Sequence, residues 1–115
     1  MATLEVQEIS RPGLNAIPSG ADVAGDEFPN DGKLTFLEYR NATIGNLRVN
    51  IISQKTVDTV GLAVADLVVD ILAGSDFFIG PFPAEIYNDD NGMIQVTYPD
   101  GVDPSFLVFT FRLGV

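Results

Sequence analysis

Histidine and cysteine are both missing from this 115-residue sequence, and that settles much of its possible chemistry. Without them the chain lacks the usual general base, a thiol nucleophile and the commonest transition-metal ligands. Ser10, Ser19, Ser53, Ser75 and Ser105 stand in no Gly-x-Ser-x-Gly elbow, and nothing in the spacing sets Lys33 or Lys55 beside a serine as its base. Paired carboxylates can hydrolyse glycosides, but the acids here gather in turn-like segments, where a solvated Asp is the ordinary state. No enzyme and no cofactor are expected.

Two loops are rich enough in oxygen ligands for a hard cation: Asp26-Glu27-Phe28-Pro29-Asn30-Asp31-Gly32 and Asn88-Asp89-Asp90-Asn91-Gly92. Neither fits the twelve-residue calcium-loop pattern, since the second lacks a downstream bidentate Glu. Asn and Asp also suit such turns for backbone reasons alone. No metal site is assigned, and calcium at these loops stays an open alternative. Glycine-rich phosphate loops with a lysine are absent.

Six basic residues against sixteen acidic ones give a formal net charge of −10. That field repels phosphate backbones and anionic membranes, so neither nucleic acid nor membrane is an expected partner; a basic protein surface is. Tyr39-Arg40 and Arg112 form no basic patch. No stretch reaches the ~18 apolar residues of a membrane span. Met1 to Glu5 lacks the form of a signal peptide, so synthesis in the cytoplasm is expected.

The elements that must position any site are strands. Alternation is clean at Leu47, Val49 and Ile51, at Leu67, Val69 and Ile71, and at Ile94, Val96 and Tyr98. Leu4 to Ile9 suggests a short first strand, and Leu34 to Tyr39 a mixed one, bulged or covered on both faces. In the last run Leu107, Phe109, Phe111 and Leu113 oppose Phe106, Val108, Thr110 and Arg112. A weak helical alternative covers Val57 to Leu72, with Ala63-Val64-Ala65 as a turn or short helical piece. All seven prolines fall between or at the ends of these runs, where they cost no ladder hydrogen bond. The expected fold is all-β: a small β-sandwich, Ig-like or jelly-roll-like, over residues 34–115.

Residues 1–33 read differently. From Ser10 to Lys33 periodicity is weak, and long structureless stretches in small domains are usually functional or flexible. With Leu4 to Ile9 this segment forms an extended N-terminal arm able to lie on a neighbour or add a strand to it, or else an ordered loop folded on its own domain. A second signal is apolar surplus. Phe77-Phe78-Ile79-Gly80-Pro81-Phe82-Pro83 holds three phenylalanines, and alternation cannot put Phe77 and Phe78 on one face. Phe106 and Val108 raise the same question on the final strand. The candidate protein interface is therefore Leu4, Val6, Ile9 and Leu14 in the arm, with Phe77, Phe78 and Phe82.

The order of several segments resembles the head decoration, or cement, proteins of tailed bacteriophages. The segments are Gly25 to Gly32, Phe36 to Ala42, Thr56-Val57-Asp58, Leu62 to Asp66, Ile79 to Pro83 and Tyr87-Asn88-Asp89. The resemblance implies a structural virion protein, made in a bacterial cytoplasm, that binds the outside of a phage capsid and clamps neighbouring subunits. Its partners would be the major capsid protein and sister copies, in a homo-oligomer such as a trimer. A head–tail connector or tail component is the alternative virion role. A carbohydrate-binding sandwich is a third reading, with Tyr39, Tyr87 or Tyr98 as its platform.

Overall fold

Each end of the chain completes a different part of the sandwich. The computed structural model describes residues 2–57, 62–63 and 65–114. Among these described residues are twelve strands and one helical turn: β1 (Ala2–Thr3), β2 (Val6–Ile9), β3 (Ser19–Gly20), β4 (Asp26–Pro29), β5 (Thr35–Asn41), β6 (Leu47–Ile51), β7 (Thr56–Val57), β8 (Leu62–Ala63), β9 (Leu67–Ile71), β10 (Asp76–Ile79), α1 (Ala84–Tyr87), β11 (Met93–Thr97) and β12 (Phe106–Leu113). Sheet A runs β1-β4-β11-β6-β9. Sheet B runs β10-β5-β12-β2, with β3 also paired to β12. The β1/β4 and β12/β2 pairs are parallel and the other pairs antiparallel. β7 and β8 pair as a separate ribbon. The β-sandwich expected from the alternation is the fold.

The clean alternation fixes which side faces in. Val49 and Ile51, Ile71, and Ile94 and Val96 bury against Leu37, Tyr39, Phe106 and Val108 of the facing sheet. Apolar side chains at every second position leave water together only if both sheets turn those faces inward. The helical alternative over Val57 to Leu72 gives way to strand at β9. Residues 58–61 and Val64 lie outside the described residues, and with them part of the Ala63 to Ala65 piece and of two segments carrying the resemblance.

The leading segment is not an arm outside a domain of 34–115. It supplies four strands to the two sheets. β1 lies along β4, the chain crosses between the sheets at Leu4 and Glu5, and β2 lies along β12 from Thr110 to Leu113. Leu4 is 5% exposed in the core, and its N–H donates to the Glu27 carbonyl at 2.7 Å. The physical reason is the unpaired edge of β12, whose backbone groups β2 and β3 satisfy. The irregular return from Ser10 to Pro18 is pinned by Gln7. Its Nε2 donates to the Ile17 carbonyl at 2.7 Å, and its Oε1 accepts from the Ile17 N–H at 2.8 Å.

Candidate functional site

The two outer faces of the sandwich differ in kind. Across sheet A the outward side chains are mostly polar, with Val68 of β9 the exposed apolar one: Arg48 Nε lies 3.1 Å from Asp70 Oδ1, and Gln95 Nε2 donates to Asp89 Oδ2 at 2.9 Å. Across sheet B four are phenylalanines, of which Phe109 and Phe111 are already buried at 2% and 5% exposure. The register sets Phe78 of β10 beside Glu38 of β5, Glu38 beside Phe109 of β12, and Phe36 beside Phe111. The rings of Phe36 and Phe78 are 6.2 Å apart, those of Phe36 and Phe111 5.6 Å, and those of Phe109 and Phe111 5.6 Å, the last pair nearly parallel. Such offset and tilted contacts are the attractive ones for ring quadrupoles.

A charged pair sits inside this stripe. Glu38 is 5% exposed on the outer face, and Arg40 Nε lies 3.0 Å from its Oε2. The Arg40 guanidinium also covers the Phe109 ring at 4.7 Å, a cation–π contact that lets a charge rest on an apolar floor. Asp76 Oδ2 stands farther off, 3.8 Å from Arg40 Nε, with its side chain more than half exposed. At the edge strand the stripe opens to water: Phe78 is 66% exposed. The surface thus has an apolar core, a charged pair within it and an uncovered aromatic at its rim, the composition of protein interfaces.

The sequence-derived interface residues divide. Phe78 lies at this rim, and Leu14 is exposed on the return segment. Val6 and Ile9 are half-buried in β2, and Phe77 turns inward against the core. Leu4 and Phe82 are corrected outright, because both are core residues. Phe82 is 1% exposed and packs on Phe28 and Tyr87 with ring centroids 6.0 and 5.7 Å away. Phe106 and Val108 face inward, and the outer side of β12 belongs to Phe109 and Phe111. Both sides of β12 are apolar, so alternation does not choose between them and leaves Phe109 and Phe111 unassigned; Phe36 lies in β5, whose mixed pattern is equally silent.

The residues of possible chemistry serve the fold. Asp31 Oδ1 accepts from the N–H groups of Lys33, Leu34 and Thr35 at 2.9, 3.0 and 3.3 Å, and from the Thr35 hydroxyl at 3.0 Å. Asp89 Oδ1 accepts from the Asn91 and Met93 N–H groups at 2.9 and 3.0 Å. These donors hold both carboxyls below the ordinary carboxylate range, led by the Lys33 N–H for Asp31 and the Met93 N–H for Asp89. Among the described residues no three acidic side chains converge as a metal site would require. Asn30 and Asn88 lock the same end: Asn30 Nδ2 donates to Asn88 Oδ1 at 2.8 Å and to the Phe82 carbonyl at 3.0 Å. Segments that carry the resemblance therefore meet here as structural elements.

One buried carboxylate is chemically unusual. Asp26, 0% exposed, accepts a 2.6 Å hydrogen bond from the Tyr98 hydroxyl, which lies 3.0 Å from that of Tyr39. Its Oδ1 has no partner among the described residues. Burial raises the Asp26 carboxyl above its ordinary value, against the opposing pull of the Tyr98 hydrogen bond. Burial likewise pushes both tyrosine hydroxyls up. Asp26, Tyr39 and Tyr98 are all buried. Of the tyrosines considered for a sugar platform, Tyr39 and Tyr98 are buried here, and the half-buried Tyr87 packs edge-on against Phe82.

No family model matches the chain, and neither a curated protein nor a solved structure matches it. No helix among the described residues is long and apolar enough to cross a membrane.

Proposed function

We propose that this protein is a non-catalytic docking module that binds a protein surface through the outer face of sheet B. The observation that carries the reading is the asymmetry between the outer faces, with Phe78 held open at the rim of a four-phenylalanine stripe. Phe109 and Phe111 are already buried within the chain, so Phe78 and the half-buried Phe36 are the rings that gain by being covered. Within this reading the module is a structural virion protein on the outside of a tailed-phage capsid, clamping neighbouring subunits. The resemblance of its segments to decoration proteins supports that role. So does its acidity, which keeps it off DNA. Repetition over many shell sites makes a weak unit contact sufficient.

Co-sedimentation with expanded, empty phage shells tests the reading. Wild-type protein pellets with the shells, and Phe78→Glu, which melts somewhat lower but stays folded at the assay temperature, loses affinity by about tenfold or more, the usual scale for an anchor residue. A wild-type protein that stays in the supernatant, or a folded Phe78→Glu that pellets undiminished, overturns it.

A further inference from the structure

The edge of sheet B beside this stripe has a backbone as open as its side chain. In the β5/β10 ladder the Asn41 N–H donates to the Ser75 carbonyl at 3.0 Å. On the other side of β5 the Ala42 N–H donates to the Ser105 carbonyl at 3.3 Å, and the Leu113 N–H to the Leu34 carbonyl at 3.2 Å. Odd-numbered residues of β5 thus bond toward β10 and even-numbered ones toward β12. With Phe77 opposite Tyr39 and Ile79 opposite Leu37, the alternation turns the N–H and C=O of Phe77 and Ile79 toward β5. Those of Asp76 and Phe78 point away from the sheet. β10 ends sheet B, and no loop bond satisfies the Asp76 or Phe78 backbone among the described residues.

We infer that β10 accepts an extended segment of a partner protein as an added strand, with an apolar side chain opposite Phe78 and a basic one, two positions away, opposite Asp76. The inference rests on the reading of sheet B as the docking face and specifies how the partner meets it. Side chains opposite each other across a ladder share a face. A residue paired with Phe78 therefore lands beside the Phe78 ring, on the side away from β5, and its neighbour two positions on lands at Asp76. Charge selects the occupant. Arg40 lies 3.0 Å from Glu38 and 3.8 Å from Asp76, so one cation is shared by two carboxylates and the group keeps a negative charge for a basic side chain to match. A second copy of this chain brings another net charge of −10, which favours a basic foreign strand over self-pairing. The strand is short and closed by Gly80 and Pro81, so the added segment gains affinity from a few main-chain bonds and one apolar anchor.

The probe is a short blocked threonine-rich peptide with phenylalanine and, two positions on, arginine, titrated into the full-length protein and followed by amide NMR. The Phe77 and Ile79 amides, already bonded to β5, serve as internal controls. Saturating peptide slows exchange of the Phe78 amide by about tenfold or more, and replacing the arginine by glutamate weakens binding several-fold. In Asp76→Lys that peptide preference reverses. Peptide that fails to bind, or that binds without reversal in Asp76→Lys, overturns the inference. Peptide that moves the Phe36 and Phe78 ring signals without protecting the Phe78 amide overturns strand addition while leaving the docking face intact. Concentration-dependent protection of that amide without peptide assigns the edge to a second copy and also overturns the inference.

Discussion

Phe78 and Phe82 lie four positions apart in one short segment, and truncating them to alanine should have very different consequences. Phe82 is 1% exposed and wedged between Phe28 and Tyr87, with the Gly80 backbone close against its ring. Removing a ring from such a site loses its transfer energy and leaves a cavity, about 3–5 kcal/mol for Phe→Ala. A domain of this size has about 5–15 kcal/mol in total, so Phe82→Ala forfeits a large share. Phe78 keeps 66% of its surface in water. Full burial of such a side chain is worth about 1.5–3 kcal/mol, and a third of that leaves about 0.5–1 kcal/mol for Phe78→Ala. Urea unfolding of both variants with a common slope measures the difference, and about 1.5 kcal/mol/M is a reasonable slope for a small domain. The Phe82→Ala midpoint should fall by about 2 M or more and that of Phe78→Ala by less than about 0.7 M. Equal losses would refute the assignment of one ring to the core and the other to the surface.

Three further outcomes follow from the same geometry. Because the folded-state value of Asp26 is raised, its favourable contribution is complete below its ordinary value of 3.8 and is lost as pH rises through the folded value. Asp26→Asn, a neutral mimic, should therefore gain stability relative to wild type as pH goes from about 4 to about 7, measured by urea melts at each pH; a constant difference contradicts this. Asp31 has the opposite sign, its stabilisation being present above 3.8 and lost as acid titrates its depressed carboxyl. Asp31→Ala should destabilise at neutral pH and do so less once wild-type Asp31 is protonated, by thermal melts against pH. Removing residues 1–9 takes away β1, β2 and Leu4, so the truncated chain should lose cooperative unfolding by near-UV circular dichroism; a folded product would contradict the integration of this segment.

The fold was legible wherever one face of a strand is apolar and the other polar. Val49 and Ile51 against Arg48 and Asn50, or Ile94 and Val96 against Gln95, leave one way to face the core. It was not legible where both faces are apolar. β12 reads equally well either way, and only tertiary pairing decides that Phe106 goes in and Phe109 out. The leading segment failed for another reason: its partners on β4 and β12 are far away in sequence, and no local pattern encodes a parallel pairing of that kind. In the phenylalanine-rich stretch, the sequence showed that Phe77 and Phe78 must diverge. It could not say that Phe82, after the Gly80–Pro81 bend, would return to the core. The Asp31 and Asp89 turns were readable from their Asn-Asp-Gly composition, since backbone N–H groups use those carboxylates locally.

The docking function depends on which face of the sandwich meets another protein. Cryo-electron microscopy of phage shells incubated with the protein answers that directly. The expected density has sheet B against the shell, Phe78 buried at the contact and the Arg48–Asp70 face of sheet A toward solvent. Bound protein with sheet A against the shell and Phe78 in water would contradict it, as would shells that remain bare.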